Sequence, residues 1–422
     1  MGATIAEKIL SRRAGRAVAP GDVVVIDADY AMANDGSGPM SIRLFDRLEM
    51  PVRHPERIVL VVDHYVPCPN DKVAGLLKEM ADFAARHGIK LFRAGDGICH
   101  RLMPEQGYVR PGAVVVGADS HSTTYGALNA FAAGIGSSDF AGVLATGRLW
   151  LQAPASIRIE LAGALGAGVY AKDLALHVVG EIGADGGTYR VLEYGGAGVA
   201  SIDMEGRFTL CNMGVETGAK AAVMPCDAVT ERWIRDNPHL EDAAAAGGVA
   251  ADADAAYAGR LAVDLSRLEP MLAAPHRVDN VHPVADWQET AISSAVIGTC
   301  TNGSLEDMRI AAAILAPRGI ASGVQLLVVP PSRQILAQAI AEGLISVFVE
   351  KGAVIVPPGC GPCCGALNGV PADGGVAVST ANRNFKGRMG NVNSEVFLAS
   401  PATVAASAAT GHITDPRRLS DV

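Results

Sequence analysis

Three thiols fall within the loop Pro357–Gly365, PPGCGPCCG: Cys360, Cys363 and Cys364. A further one, Cys300, sits in Gly298-Thr299-Cys300-Thr301-Asn302. Glycine and proline around thiolates make tight turns whose free N–H groups can point at sulfur and tune a bound metal centre. Cys300 with Cys360 and Cys363 therefore suits an iron–sulfur cluster held by three thiolates, with the fourth corner open. Two other readings remain. Zinc would need Cys364 as its fourth sulfur, although the usual doubled C-x₂-C spacing is missing. A redox pair is the other, because Cys360-Gly-Pro-Cys363 matches the thioredoxin-type active sequence letter for letter. That reading requires a long amphipathic helix opening at the motif, and Gly-Ala-Leu-Asn-Gly-Val at 365–370 is a poor start for one. The four other cysteines, Cys68, Cys99, Cys211 and Cys226, are scattered and read as small core hydrophobes.

Acid–histidine neighbours form a second set: Asp63-His64 and Asp119-Ser120-His121, with His100 in Gly97-Ile98-Cys99-His100. Adjacent side chains point apart, so Asp119, Ser120 and His121 are not by themselves a hydrolase triad. Carboxylates beside imidazoles do suit a site that moves protons while holding a polar substrate. A third set is Ser379–Arg388, STANRNFKGR, in which Asn382 and Arg383 are followed by Arg388 beside Gly387. Two arginine forks can clamp a dicarboxylate, whereas the bland alternative is a solvated basic loop. Cys211–Glu216, CNMGVE, follows a short strand-like run and places Asn212 and Glu216 among glycines. Alone it is a weak signal.

Most of these residues follow predicted buried strands: Ile58–Val62, Ala113–Val116, Ala295–Ile297, Leu326–Val329 and Ala353–Val356. Continuous apolar runs alternating with helical patterns imply parallel sheets covered by helices, and ligands gather at the carboxyl ends of such strands. The spacing of Leu76, Leu77, Met80, Phe83, Ala84 and His87 predicts a helix stopped by Gly88. Ser304 with Asp307 predicts another, and Ser138 a third. Ser156–Leu161 alternates, so its sheet has a more exposed face. A chain of 422 residues is too long for one core. The expected lobes are 1–155, with the Asp-His motifs, 156–285, with Asn212 and Glu216, and 286–422, with the cysteines and arginines. The Ala/Asp-rich segment 241–256 reads as a surface excursion.

Composition narrows the class. Hydrophobic residues make up 49% and charged residues 19%, which excludes a disordered chain. A net charge of −9 argues against a nucleic-acid partner. No apolar run approaches a membrane span and the first residues lack a signal-peptide stretch, so a cytoplasmic location without membrane attachment is expected.

Taken together, the motifs resemble the aconitase superfamily, in particular the branch of separate large subunits that includes isopropylmalate isomerase and homoaconitase. The likeness runs through VDH at Val62–His64, GICH at Gly97–His100, GADSH at Gly117–His121, YGAL at Tyr125–Leu128, CNMGVE, CTN at Cys300–Asn302, PGCGPC at Pro358–Cys363 and NRNFKGRMG at Asn382–Gly390. It implies an aconitase-like three-lobed α/β/α architecture with mainly parallel sheets. It also implies a [4Fe–4S] cluster on Cys300, Cys360 and Cys363 whose open iron takes the substrate's hydroxyl and a carboxylate. By the same resemblance, Asp63, His64, His100, Asp119, His121 and Glu216 are catalytic. Ser120, Asn212, Asn382, Arg383 and Arg388 are substrate-binding.

The implied reaction is dehydration and rehydration of a hydroxy-dicarboxylate, with isopropylmalate, homoaconitate, citramalate, dimethylmalate or maleate as the acid. The family's swivelling domain carries a Gly-Ser-Ser-Arg type motif. Here Ser137-Ser138 is followed by Asp139 and the sequence ends at Val422, so a separate small subunit of roughly 160–200 residues is expected to complete the enzyme and set its substrate. Tyr65, Ser122 and the extra thiol of Cys364 depart from the family pattern. A thiol–disulfide oxidoreductase using Cys360 and Cys363, and a non-catalytic zinc protein, are the alternatives of a different class.

Overall fold

Ile58–Val61, Val114–Gly117 and Ser294–Gly298 are buried along their whole lengths, as strands covered on both faces must be. The computed structural model describes residues 2–240, 247–365 and 367–419. Among these residues three sheets are wholly or largely parallel, and a small antiparallel ribbon joins Val23–Asp27 to Arg148–Gln152.

The first sheet has five parallel strands in the spatial order Lys90–Phe92, Ile58–Val61, Tyr30–Asn34, Val114–Gly117, Phe131–Gly134. Numbered along the chain this order is 3-2-1-4-5. The direction of winding reverses between Tyr30–Asn34 and Val114–Gly117, where Met32 lies opposite Gly117. Such a reversal opens a crevice at the carboxyl ends of the two central strands.

The second sheet repeats the pattern with four parallel strands: Ala221–Val223, Val191–Gly195, Ser156–Ala162 and Gly259–Asp264. In the third, five parallel strands run Val354–Ile355, Gln325–Val329, Ser294–Gly298, Val376–Ser379, Glu395–Ala399, again 3-2-1-4-5. Antiparallel Met271–Ala273 and Val281–Pro283 extend that sheet. Residues 271–283, expected in the second lobe, thus hydrogen-bond into the third sheet. The family's mainly parallel α/β architecture is present.

Local signals act as their chemistry requires. Gly88 ends Asp71–His87 in the left-handed conformation, and Ser304 and Asp307 close a capping box on Leu305–Arg318. The helix expected at Ser138 begins one residue earlier, at Ser137. One apolar core links Val59, Leu192, Val296 and the thiol-bearing Cys360 and Cys363, so the parallel sheets are not independently packed. Gly126 is required where the segment Ser120–Leu128 crosses Ala221–Val223, because a Cβ there would lie 1.7 Å from the Ala222 carbonyl oxygen. Residues 241–246 of the expected surface excursion lie outside the described residues. Beyond them Val249 and Ala255 are buried, so that part is not a free excursion. Among the described residues no helix is long and apolar enough to cross a membrane.

Candidate functional site

The loops at the carboxyl ends of the first and third sheets meet. Cys360 N–H donates to the Asp63 carbonyl at 2.7 Å, and Ile98 N–H to that of Pro331 at 2.8 Å. A Cβ on Gly359 would lie 2.7 Å from the Asp63 oxygen, so glycine is what lets the thiol loop come this close.

Cys300 follows the strand Ser294–Gly298, and Cys360 and Cys363 follow Val354–Ile355. One carboxamide spans the gap between them. Asn382 Nδ2 donates to Cys300 Sγ at 3.3 Å, while its Oδ1 accepts from Cys363 Sγ at 3.7 Å. Asn212 Nδ2 also donates to Cys300 Sγ, at 3.3 Å, and Arg388 Nη2 to Cys363 Sγ at 3.4 Å. Burial pushes the Cys300 thiol up to about 12. The hydrogen bond from Cys360, with the Arg388 guanidinium, holds Cys363 well below the usual thiol range. Its partner Cys360 is pushed up by those same sulfur contacts.

The motif Cys360-Gly-Pro-Cys363 opens a single 3₁₀ turn, Gly361–Cys364, which Gly365 ends at φ 69°. Among the described residues no long helix follows, which removes the structural basis of the redox-pair reading. A mononuclear tetrahedral site with Zn–S near 2.3 Å brings sulfurs to about 3.8 Å of one another. Among the described residues, the groups whose donor atoms converge within 4.8 Å are His100–Asp119–His121 and Asp35–Asp63–His64, and the thiols are not among them. Cys300, Cys360 and Cys363 do not all converge on one another as a single four-coordinate ion requires, and the N–H donors that reach Cys300 and Cys363 fit an iron–sulfur group. No disulfide joins any of the eight cysteines, and Cys68, expected in the core, is exposed.

Three acid–histidine pairs face this cluster of thiols. Asp63 Oδ1 meets His64 Nδ1 at 2.6 Å, and its Oδ2 accepts Cys99 N–H at 2.7 Å. Burial opposes the imidazolium of His64, but Asp63, Asp119 and Asp35 together raise its pKa to about 10. Asp119 Oδ1 meets His100 Nε2 at 2.9 Å, and Asn34 Nδ2 donates to Oδ2 at 2.9 Å across the first sheet's crevice. Burial alone would raise the Asp119 carboxyl, yet His100 and His121 hold it well below its ordinary value. The ring of His121 lies between two acids: Nε2 meets Glu216 at 2.8 Å and Nδ1 faces Asp119 Oδ1 at 3.7 Å, the same oxygen that accepts the His121 backbone N–H at 2.8 Å. The Asp119–His121 pairing expected from the sequence is present, and the second sheet adds Glu216 as a closer acid on the other ring nitrogen.

Glu216 also accepts Arg383 Nε, at 2.8 and 3.1 Å, and Arg383 Nη2 donates to Ser120 Oγ at 3.0 Å. His121 and Arg383 hold the Glu216 carboxyl below its usual value against the effect of burial. Arg383 Nη1 has no hydrogen-bond partner among the described residues. Arg388 has other neighbours than Arg383. It lies against Cys363, with its buried Nε lacking an acceptor among the described residues. CNMGVE belongs to a buried helix, Met204–Gly214, and the 3₁₀ turn Val215–Thr217, not to a strand end. His100 likewise sits on a helix, Cys99–Glu105.

Two residues escaped the sequence reading. Asp35 follows the strand Tyr30–Asn34 and accepts the N–H groups of Asp63, His64 and Tyr65 at 3.3, 2.9 and 2.9 Å. Burial and the neighbouring Asp63 raise its carboxyl to about 6. The rule that singled out Asp63 and Asp119, an acid just past a strand, would have found it had the short run YAMAN been read as one. The other is Lys172, fully buried near the start of Ala171–Ile182, whose Nζ donates to the carbonyls of Thr380 and Ala381 at 2.8 and 2.7 Å. Burial pushes its pKa down to about 7, opposed first by Cys300 and Cys363. A charged pair opening an otherwise apolar helix was its only signal in the sequence.

The model of the aconitase family (aconitate hydratase) matches residues 7–290 and 285–411. A 3-isopropylmalate dehydratase large subunit of Methanopyrus kandleri is 46% identical over 419 residues, covering 99% of each chain. A methanogen homoaconitase large subunit of Methanocaldococcus jannaschii is 43% identical, covering 98% of this chain and 99% of its own. Thermococcus kodakaraensis aconitase X in its holo-form shares the fold at a TM-score of 0.50 and 15% identity, covering 90% of this chain and 89% of its own.

Proposed function

This chain belongs to the aconitase family, and from that premise we propose that it is the large subunit of an iron–sulfur hydro-lyase. It isomerises a hydroxy-dicarboxylate by dehydration and rehydration, with the isopropylmalates as first substrate and the homoaconitate series as the second reading. The similarity of nearly the whole chain to large subunits bearing both names supports this pair. The observation that carries the chemistry is Asn382, whose one side chain touches both Cys300 and Cys363 beside three acid–histidine pairs. We assign Cys300, Cys360 and Cys363 to a [4Fe–4S] cluster. When bound, it supplies a Lewis acid for the substrate's hydroxyl and carboxylate.

The chain's own residues account for holding the acid and moving a proton. Arg383, oriented by Glu216 and Ser120, offers its remaining N–H groups to a carboxylate, and Arg388 offers Nε. His64 is held charged by Asp63 at Nδ1, which leaves Nε2 as the proton donor to the departing hydroxyl. Asp119 orients His100, and Glu216 orients His121, so each imidazole keeps one fixed nitrogen toward its acid. Removal of the carbon-bound proton we assign to a base on a separate small subunit. The lobes at 1–155, 156–285 and 286–422 are proposed to act as one catalytic unit with that partner, in the cytoplasm.

Anaerobic purification with a co-expressed small subunit tests the proposal. Expected are about four iron per chain and alkene formation from 2-isopropylmalate in preference to homocitrate. A loaded complex that dehydrates neither acid refutes the assignment. A zinc-loaded or iron-free chain with two readily titrated thiols refutes the cluster.

A further inference from the structure

We infer that Lys172 is a positioning residue that also carries the counter-charge of the iron–sulfur centre, a role that rests on the cluster reading above. Four observations converge on it. Its side chain is wholly buried, and its ammonium meets two carbonyl oxygens, those of Thr380 and Ala381, at 2.8 and 2.7 Å. Among the described residues no carboxylate forms an ion pair with it, although an ammonium without an anionic partner is among the most expensive groups to bury.

The groups whose negative charge favours it are the sulfurs of Cys300 and Cys363 first, then Asp307 and Glu216. Finally, the carbonyls it grips open the loop that carries Asn382 and Arg383. Thr380 Oγ1 in turn lies within 3.1 Å of Asn302 O and within 3.0 Å of Gly298 N and O, on either side of Cys300.

Lys172 reaches this place from the helix Ala171–Ile182, which crosses between strands of the second sheet. It therefore pins a loop of the third sheet from outside. Three thiolates outweigh the positive charge of an iron–sulfur core, so the bound centre is a net anion, and one-electron reduction makes it more so. A fixed cation nearby stabilises the reduced form more than the oxidised one. A residue serving only to hold two carbonyls needs no charge, since a neutral amide donates to them as well.

The full-length chain, reconstituted anaerobically with iron and sulfide, is compared with Lys172→Gln and Lys172→Met. Glutamine keeps a donor for the Thr380 or Ala381 carbonyl, whereas methionine keeps only bulk. The midpoint potential of the bound centre is read by dithionite titration followed by electron paramagnetic resonance. Both variants are expected to disfavour reduction by about tenfold, ~59 mV for one electron, and chelator competition should show weaker iron retention, more so for methionine. If the methionine variant does not fold, the glutamine variant decides alone. A wild-type chain that takes up no iron refutes the cluster reading, and the inference falls with it. A loaded wild type whose potential glutamine leaves unchanged refutes the inference alone, because lost packing or a lost hydrogen bond would then account for any effect of methionine.

Discussion

Replacing Glu216 with glutamine tests whether the sheets are tied together through charge. The carboxylate accepts His121 Nε2 at 2.8 Å and Arg383 Nε at 2.8 and 3.1 Å, and all three groups are largely withdrawn from water. Breaking a buried pair by removing one partner costs about 3–5 kcal/mol, and glutamine keeps one acceptor oxygen. The expected loss is therefore about 2–3 kcal/mol.

The pH dependence has a definite sign. His121 has a folded pKa raised above its ordinary 6.5, so its contribution is complete below 6.5 and fades as pH rises through the raised value. Glu216 has a folded pKa below its ordinary 4.5, so its contribution is complete above 4.5 and fades as pH falls through the lowered value. Wild type and variant should differ most between these ordinary values and converge on the alkaline side. Urea unfolding of the full chain at about pH 5.5 and about pH 9 measures this, with the gap narrowing by roughly 1 kcal/mol or more at the higher pH. A gap that is constant, or wider at the higher pH, would refute ionic coupling between Glu216 and His121.

Three further outcomes follow from the same geometry. Cys300→Ser should abolish iron uptake while Cys364→Ser leaves it intact, measured as iron per chain after anaerobic reconstitution, and equal loss in both would sink the three-thiol assignment. Gly359→Ala puts a Cβ 2.7 Å from the Asp63 carbonyl oxygen. The thiol loop must retreat, at about 1–3 kcal/mol of stability and with faster iron loss in air, and an unchanged melting temperature would contradict this. Asp35→Asn exchanges a carboxylate that accepts three N–H groups for an amide with one acceptor oxygen. Stability should fall by about 2 kcal/mol and kcat by about tenfold with a smaller change in KM, and a variant with wild-type kcat would remove Asp35 from the site.

Residues read at strand ends were legible because a parallel sheet exposes functional groups only there, as Asp63, Asp119 and Cys300 illustrate. Their partners were not. His121 pairs with Asp119, close to it in sequence, but its nearer acid is Glu216, after a helix of the second sheet, and nothing local pointed to that one. That helix carries Asn212, and its sequence reads only as the sequel to a short strand-like run because its glycines hide an apolar face buried on nearly every side. Lys172 had no local signal of a site, since its meaning lies in carbonyls some two hundred residues away. Binary pattern reports which face of an element is covered. It does not report which charged group of another element will be met there.

Each parallel sheet is drawn from one uninterrupted stretch of chain, strands 30–134, 156–264 and 271–399. During synthesis each can therefore close soon after its last strand leaves the ribosome, the amino-terminal one first. The thiol site has no such early stage. Cys300 emerges well before Cys360, and Asn382, which touches both Cys300 and Cys363, emerges after all three. Its strand, Val376–Ser379, must also wedge beside Ser294–Gly298 before the loop can form. With the proposed cluster, iron is accordingly a late arrival, loaded after the third sheet has closed and never a template for early folding.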